Sequence, residues 1–163
     1  MTVQSAGILL YRRGPGPAPE VWIAHMGGPF WAHKESHAWS IPKGEYLPDE
    51  DPLTAAQREF AEEMGTPAPT ADYFPLGAFR QPSGKVITVF AAESDFAPEQ
   101  VVSNTFALEW PKGSGTVRNY PEIDAAEWTS VPAARTRLVR GQLPILNALL
   151  EHVARHPMTG MPG

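Results

Sequence analysis

Three glutamates, Glu59, Glu62 and Glu63, fall within one short run directly after Arg58. On a helix, positions i, i+3 and i+4 share a face, so this spacing gathers three carboxylates into one patch. Like charges at such separations repel by roughly a few tenths of a kcal/mol per pair. A divalent cation reverses the sign of that cost, because Mg2+ and Mn2+ favour carboxylate oxygens. The chemistry open to such a patch is the binding of metal ions, which in turn recruit phosphate. Taken alone, Glu-x-x-Glu-Glu more often marks a solvated acidic face, so the surrounding residues have to decide.

The elements that position these side chains come next. Asp51 is a good N-cap and Pro52 suits the first helical position, where a missing N–H costs nothing. Leu53, Ala56, Phe60 and Met64 recur at three- and four-residue steps and predict an apolar stripe on a helix from Leu53 to Met64, stopped by Gly65. The stripe holds one side of the helix in a core and leaves the carboxylates on the rim. Strands are predicted over Val3–Tyr11, Val21–Met26, Trp39–Pro42, Asp72–Arg80, Lys85–Ala92 and Ala126–Val131. Pro/Gly-rich turns separate the first two and, at Gln81–Gly84, the fourth and fifth. Gly27–His37 reads as a loop and Val101–Pro121 as a long irregular one. Pro132–Arg140 and Leu143–Arg155 read as helices, the second with Ile145, Leu149 and Val153 on one side.

Composition narrows the function classes. The length of 163 residues suits one domain, taken as 1–155 with a flexible tail at 156–163. With 13 basic and 18 acidic residues the net charge is −5, a poor match for general nucleic-acid binding. The absence of cysteine excludes disulfides, thiolate zinc sites and a cysteine nucleophile. Neither a signal peptide nor an apolar run long enough to span a membrane is present, so a cytoplasmic protein is expected. Composition leaves the oligomeric state open.

From Gly44 the chain reads GEYLPDEDPLTAAQREFAEEMGT: a glycine, five residues, Glu50, seven residues, then Arg58-Glu59-Phe60-Ala61-Glu62-Glu63-Met64-Gly65. This resembles the Nudix box, G-x5-E-x7-R-E-U-x-E-E-x-G-U, with U a bulky apolar residue. The departure is Thr66, where the family usually has a bulky aliphatic side chain; it touches packing at the helix exit and no ligand position. About eight specified positions at fixed spacing make a chance match improbable. The resemblance implies an α/β/α sandwich with a mixed sheet between helices. It implies Glu59 and Glu63 as metal ligands, Glu62 as a ligand or a base acting on water, and Gly44 as the point where the backbone approaches the metal, its carbonyl a further donor. Arg58 then holds the carboxylates through a charge-assisted pair, and Glu50 braces the loop before the helix.

Two further segments extend the likeness. Trp39-Ser40-Ile41-Pro42-Lys43-Gly44 is similar to the W-x-x-P-K-G lead-in of hydrolases acting on diadenosine polyphosphates and diphosphoinositol phosphates, which implies a phosphate contact for Lys43. Tyr120-Pro121-Glu122-Ile123-Asp124 resembles the P-E-F-D segment of bacterial RNA 5′-pyrophosphohydrolases and plant-type dinucleoside polyphosphate hydrolases. That match implies Glu122 as a fourth carboxylate, ligand or base, with Glu109, Asp124 and Glu127 as rivals. The expected function is a divalent-metal-dependent hydrolase that cuts a pyrophosphate bond in a nucleoside diphosphate linked to another moiety, a dinucleoside polyphosphate foremost. The alternatives are a MutT-like hydrolase that sanitises the nucleotide pool and a regulatory domain that binds nucleotides without turnover. Mg2+ or Mn2+ suits the oxygen donors better than zinc.

Residues for specificity are less marked. Trp31 and Arg80 are the candidate substrate contacts beside Lys43. Phe30, Phe106, Trp110 and Tyr120 are loop aromatics that either stack a base or cover the core. Lys85, Lys112 and Arg118 are candidate contacts for distal phosphates. His25, His33 and His37 have no metal-ligand spacing and are taken as bystanders.

Overall fold

A strand that is apolar on both faces has to lie between two layers. The first strand, β1 (Gln4–Arg13), is such a strand: Ala6, Ile8 and Leu10 are buried on one face, Leu9 and Tyr11 on the other. The computed structural model, which describes residues 4–158, sets it at the centre of a seven-stranded mixed sheet. The elements follow as β2 (Pro19–Met26), β3 (Trp39–Ser40), β4 (Lys43–Glu45), α1 (Pro52–Met64), β5 (Phe74–Arg80), β6 (Val86–Glu93), β7 (Thr105–Glu109), β8 (Val117–Pro121), β9 (Ile123–Ser130), α2 (Val131–Arg137) and α3 (Leu143–Arg155), with a 3-10 turn at Arg140–Gln142. One core lies under α1 around Ile8, Leu10, Trp22, Phe60 and Met64; the other lies under α2 and α3 around Leu9, Ile23, Leu138, Ile145 and Leu149. This is the α/β/α sandwich.

One edge of β1 is occupied along its length by β6, in parallel register from Gln4↔Val86 to Tyr11↔Glu93. The opposite edge is forked. β2 pairs with β1 only at Tyr11–Arg13, then diverges to pair with β9, while β4 takes over at Ser5–Gly7. The short segment from Trp39 to Glu45 bridges the fork. It pairs with β2 at Trp39 and Ser40, donates nothing to the sheet at Pro42 but accepts from the Ile8 N–H there at 3.0 Å, and joins β1 at Lys43. Buried Gln142 clamps this crossing: its Oε1 accepts from the Ile41 N–H at 3.0 Å and its Nε2 donates to Ser40 Oγ at 2.8 Å.

The helix α1 starts and stops as its caps dictate. Asp51 accepts from the Thr54 N–H at 3.0 Å, and Gly65 adopts the left-handed conformation at φ 71° with its N–H on Ala61 O. Its buried side is Ala55, Ala56, Phe60 and Met64, so Ala55 takes a place expected for Leu53, which is half-buried. α2 ends at Arg137, short of the expected Arg140, because the chain turns there into the 3-10 segment. Val3 and residues 159–163 of the expected tail lie outside the described residues.

The segment Val101–Pro121 is not irregular. It holds β7 and β8, an antiparallel hairpin forming its own two-stranded sheet. The expectation failed because the hairpin buries no core residue: its strands have one half-covered face and one exposed face, so no apolar run announces them. The alternation in Thr105-Phe106-Ala107-Leu108-Glu109 and the glycines at the turn were the available signal. β4 was missed for a different reason, since its partner is β1, far away in sequence. Among the described residues no helix is long and apolar enough to cross a membrane.

Candidate active site

The fork brings Gly44 beneath α1. A Cβ on Gly44 would overlap the Glu59 carboxylate, so only a residue without a side chain lets that carboxylate lie against the strand. Glu63, one turn further along, accepts from the Lys43 backbone N–H at 3.3 Å. The helix face and β4 therefore meet through two carboxylates. Burial pushes the Glu63 carboxyl up to about 8; the positive charge and backbone N–H of Lys43 oppose the rise, and the negative charges of Glu59 and Glu122 add to it. Glu59 is raised for the same first reason, burial, with the Arg58 hydrogen bond opposing and Glu62 and Glu122 adding. Burial lowers the Lys43 amine, and the negative charge of Glu63 partly offsets this.

Arg58 reaches both ways along the helix surface. Its Nε and Nη2 donate to the two oxygens of Glu50 at 3.1 Å each, and its Nη1 donates to Glu59 at 2.8 Å, with Glu62 3.7 Å away. The bidentate pair ties the loop before the helix to the helix itself. Glu62 is more exposed than Glu59, its side chain 40% accessible against 15%.

The fourth carboxylate is set by a relay of backbone hydrogen bonds. Asn104 donates to Glu62 O on α1 at 3.0 Å, Glu122 donates to Asn104 O at 2.9 Å, and Gly27 at the end of β2 donates to Glu122 O at 2.8 Å. Ser103 Oγ adds a further tie, accepting from the Ile123 N–H at 3.0 Å. Glu122 is thereby held where its charge is felt by Glu59 and Glu63. Its rivals are engaged elsewhere: Glu109 accepts from the Gly113 N–H, Asp124 pairs with His25 at 2.7 Å, and Glu127 pairs with Arg137.

The residues expected to hold a metal, Glu59, Glu62, Glu63, Glu122 and the Gly44 carbonyl, would offer only oxygen, which is the chemistry Mg2+ and Mn2+ prefer. Among the described residues no three such side chains converge on one point as they stand. Glu59 is turned to Arg58 and Glu63 to the Lys43 amide. Burial and mutual repulsion raise the Glu59 and Glu63 carboxyls, so keeping both ionised here calls for a compensating positive charge, which a divalent cation supplies. The residues therefore fit a hard cation.

A cavity of about 540 Å3 opens on the other side of β4, lined by Met26, Trp31, Lys43, Lys85, Arg140 and Gln142 among others. Lys43 belongs to both compartments: it lines the cavity and its charge bears on Glu63. Trp31 is half-buried at the cavity wall, with the Phe30 ring edge-on at 4.9 Å. Arg80 is exposed at the end of β5 and does not line the cavity, whereas its neighbour Gln81 does. Gln81, Arg140 and Gln142 were not legible as wall residues, since they arrive from separate elements and carry no motif. His25 is no bystander in the structural sense: it is buried, with Nδ1 2.7 Å from Asp124 and Nε2 2.6 Å from Lys34 O, and so ties the Gly27–His37 loop to β9.

Comparison with known proteins agrees with this geometry. The family profile described as NUDIX domain matches residues 1–149. No curated protein sequence matches the chain. Among solved structures, a C. elegans Ap4A hydrolase binary complex superposes with a TM-score of 0.64 at 17% identity, covering 93% of this chain and 98% of that one. RenU, a Nudix hydrolase from M. smegmatis, gives 0.59 at 24% identity over 97% of this chain and 89% of its own. The NUDIX domain of Shewanella oneidensis NrtR, complexed with ADP ribose, gives 0.61 at 14% identity over 94% and 89%. At such identities these likenesses speak to the fold, and the profile match over most of the chain assigns the family. The chain belongs to the Nudix family and, as such, is a pyrophosphohydrolase.

Proposed function

We propose that the protein hydrolyses a pyrophosphate bond in a nucleoside diphosphate linked to another moiety, with a dinucleoside polyphosphate as the foremost substrate and Mg2+ or Mn2+ as the cofactor. The observation that carries this is the position of Lys43, which joins a cavity of about 540 Å3 to the carboxylate cluster. The cavity combines the flat surface of Trp31 with the cations of Lys43, Lys85 and Arg140, a combination suited to a nucleoside with its phosphates directed at α1. No substrate role for Arg80 follows from this cavity.

Glu59, Glu63, Glu62, Glu122 and the Gly44 carbonyl would hold the cation. When bound, a divalent ion neutralises charge growing on the phosphoryl oxygens and makes water more acidic. Arg58 keeps the Glu59 carboxylate oriented, and Glu50 keeps Arg58 in place. Lys43 offsets charge on a phosphate at the cavity mouth. Glu62, more exposed than Glu59, would accept the proton from the attacking water, with Glu122 as the second candidate base. Water is the nucleophile, which agrees with a chain that has no cysteine.

The test is a panel of diadenosine polyphosphates, nucleoside triphosphates and nucleotide sugars assayed with Mg2+ or Mn2+. Preferred release of nucleotide from the diadenosine compounds supports the substrate reading. Preferred hydrolysis of triphosphates to monophosphate and pyrophosphate overturns it in favour of a pool-sanitising enzyme.

A further inference from the structure

We propose that the β7–β8 hairpin is a second base-binding surface, which receives the distal nucleoside of a two-ended substrate whose other end occupies the Trp31 cavity. This rests on the substrate reading above. In the hairpin register Phe106 faces Tyr120 and Leu108 faces Arg118, and directly opposed residues share a face. Phe106, Leu108 and Tyr120 are half-buried and Arg118, at the outer end of the same face, is exposed, whereas Ala107, Glu109, Val117 and Asn119 on the other face are all exposed. The Phe106/Tyr120 side is thus turned inward, and contact fixes its direction: the Phe106 ring lies against Gly28. Gly28 follows Met26 and Gly27, of which the first lines the cavity and the second is bonded to Glu122.

The same face runs on to the reaction centre. Glu122 comes two residues after Tyr120, at the bend just past the end of β8, with its amide still bonded to Asn104 opposite. Strand residues rise about 3.3 Å each, which places Tyr120 roughly 7 Å and Arg118 roughly 13 Å along the strand from Glu122. The order from the centre outward is carboxylate, aromatic pair, guanidinium. Phe106 and Tyr120 have ring centroids 6.1 Å apart and tilted by 41°, leaving ring surface for a base to stack on. A small packing cluster at the hairpin base accounts for the two rings. It leaves Arg118 unexplained: among the described residues its guanidinium has no hydrogen bond or ion pair, in a protein whose net charge is −5. Its planar fork of donors matches the acceptor edge of a stacked base. The hairpin is well anchored for such a role, since Val102 and Asn104 before it bond to Met64 O and Glu62 O of α1 at 3.2 and 3.0 Å.

The test measures binding, so that it does not depend on turnover. In a Glu62→Gln background with Mg2+, calorimetry gives Kd for diadenosine tetraphosphate, with two bases, and for ATP, with one. Arg118→Gln is expected to weaken the diadenosine compound roughly 10-fold while changing ATP less than about 2-fold. Tyr120→Leu is expected to act in the same direction, and Arg118→Lys to recover part of the loss. Equal weakening of both ligands, or no weakening of either, overturns the proposal, as does failure of the unsubstituted hairpin to bind the diadenosine compound more tightly than ATP. Turnover of the two compounds by the wild-type enzyme is read separately, so a wrong substrate assignment and a wrong hairpin assignment give different results.

Discussion

The site is assembled from two arms of unlike construction. The first, from Gly44 to Gly65, is packed: Glu63 is half-buried against the Lys43 amide, Glu59 rests on a glycine, and Phe60 and Met64 hold the helix in the core. The second, from Val102 to Glu122, is a half-exposed hairpin that brings one carboxylate to the cluster mainly through backbone bonds, with Ser103 Oγ as a side-chain tie. The difference teaches how the molecule divides its tasks. Carboxylates that must be pressed together against their own repulsion sit where packing resists their separation. The groups proposed to receive the distal base sit on a surface element whose side chains can change without disturbing a core.

The contrast predicts unequal responses to substitution. The largest effect is expected on the packed arm: Glu63→Gln and Glu62→Gln lower kcat by about 10^2- to 10^4-fold with an unchanged circular dichroism spectrum. Near-normal turnover by either variant would remove that residue from the metal and base assignments. Glu122→Gln also lowers kcat, whereas Glu109→Gln on the same hairpin leaves it unchanged because that carboxylate only caps a turn. Equal behaviour of the two would break the comparison.

Gly44→Ala comes next. Its methyl group meets the Glu59 carboxylate, so kcat falls roughly 10-fold or more and unfolding free energy falls by about 1 to 3 kcal/mol. Unfolding in denaturant with parallel assays checks both.

A smaller effect concerns protons. Glu63 in the folded, metal-free protein titrates near about 8, above the ordinary carboxyl value of 4.5. The folded state therefore binds its proton more readily than the unfolded state. That contribution to stability is fully present below about pH 4.5 and is lost as pH rises through about 8. The melting temperature in EDTA should decline across that window, and the stabilisation gained from added Mg2+ or Mn2+ should grow across it, because ligation needs the carboxylate. Glu63→Gln should flatten the decline; an unaltered pH profile in that variant would refute the assignment.

The smallest effect belongs to Glu50→Gln. It loses a half-exposed bidentate pair with Arg58 worth about 0.2 to 1 kcal/mol, and its kcat should fall far less than that of the Glu63 variant.

How much of this was legible before folding follows the same division. The α1 arm could be read because its information is local: a cap, a proline, a 3.6-residue stripe and three carboxylates at helical spacing all lie between Asp51 and Gly65. The hairpin could not, because half-exposed strands carry no strong apolar pattern. The Glu122 segment was visible only as a resemblance, and its relay through Asn104 to Glu62 joins residues with no local signal between them.

By itself, then, the sequence determined the chemistry: an acidic helix with capped ends, a glycine ahead of it and a family of hydrolases to which the spacing belongs. Tertiary structure alone decided what that chemistry faces. The fork in β1 turned Lys43 toward a cavity and Gly44 toward Glu59, Gln142 pinned the crossing strand, and the bond to Asn104 set Glu122 where its charge reaches Glu59 and Glu63. The physical reason is range. Helical spacing and capping act over a few residues and are written in order, whereas strand pairing and burial join residues distant in the chain, whose neighbours exist only after folding.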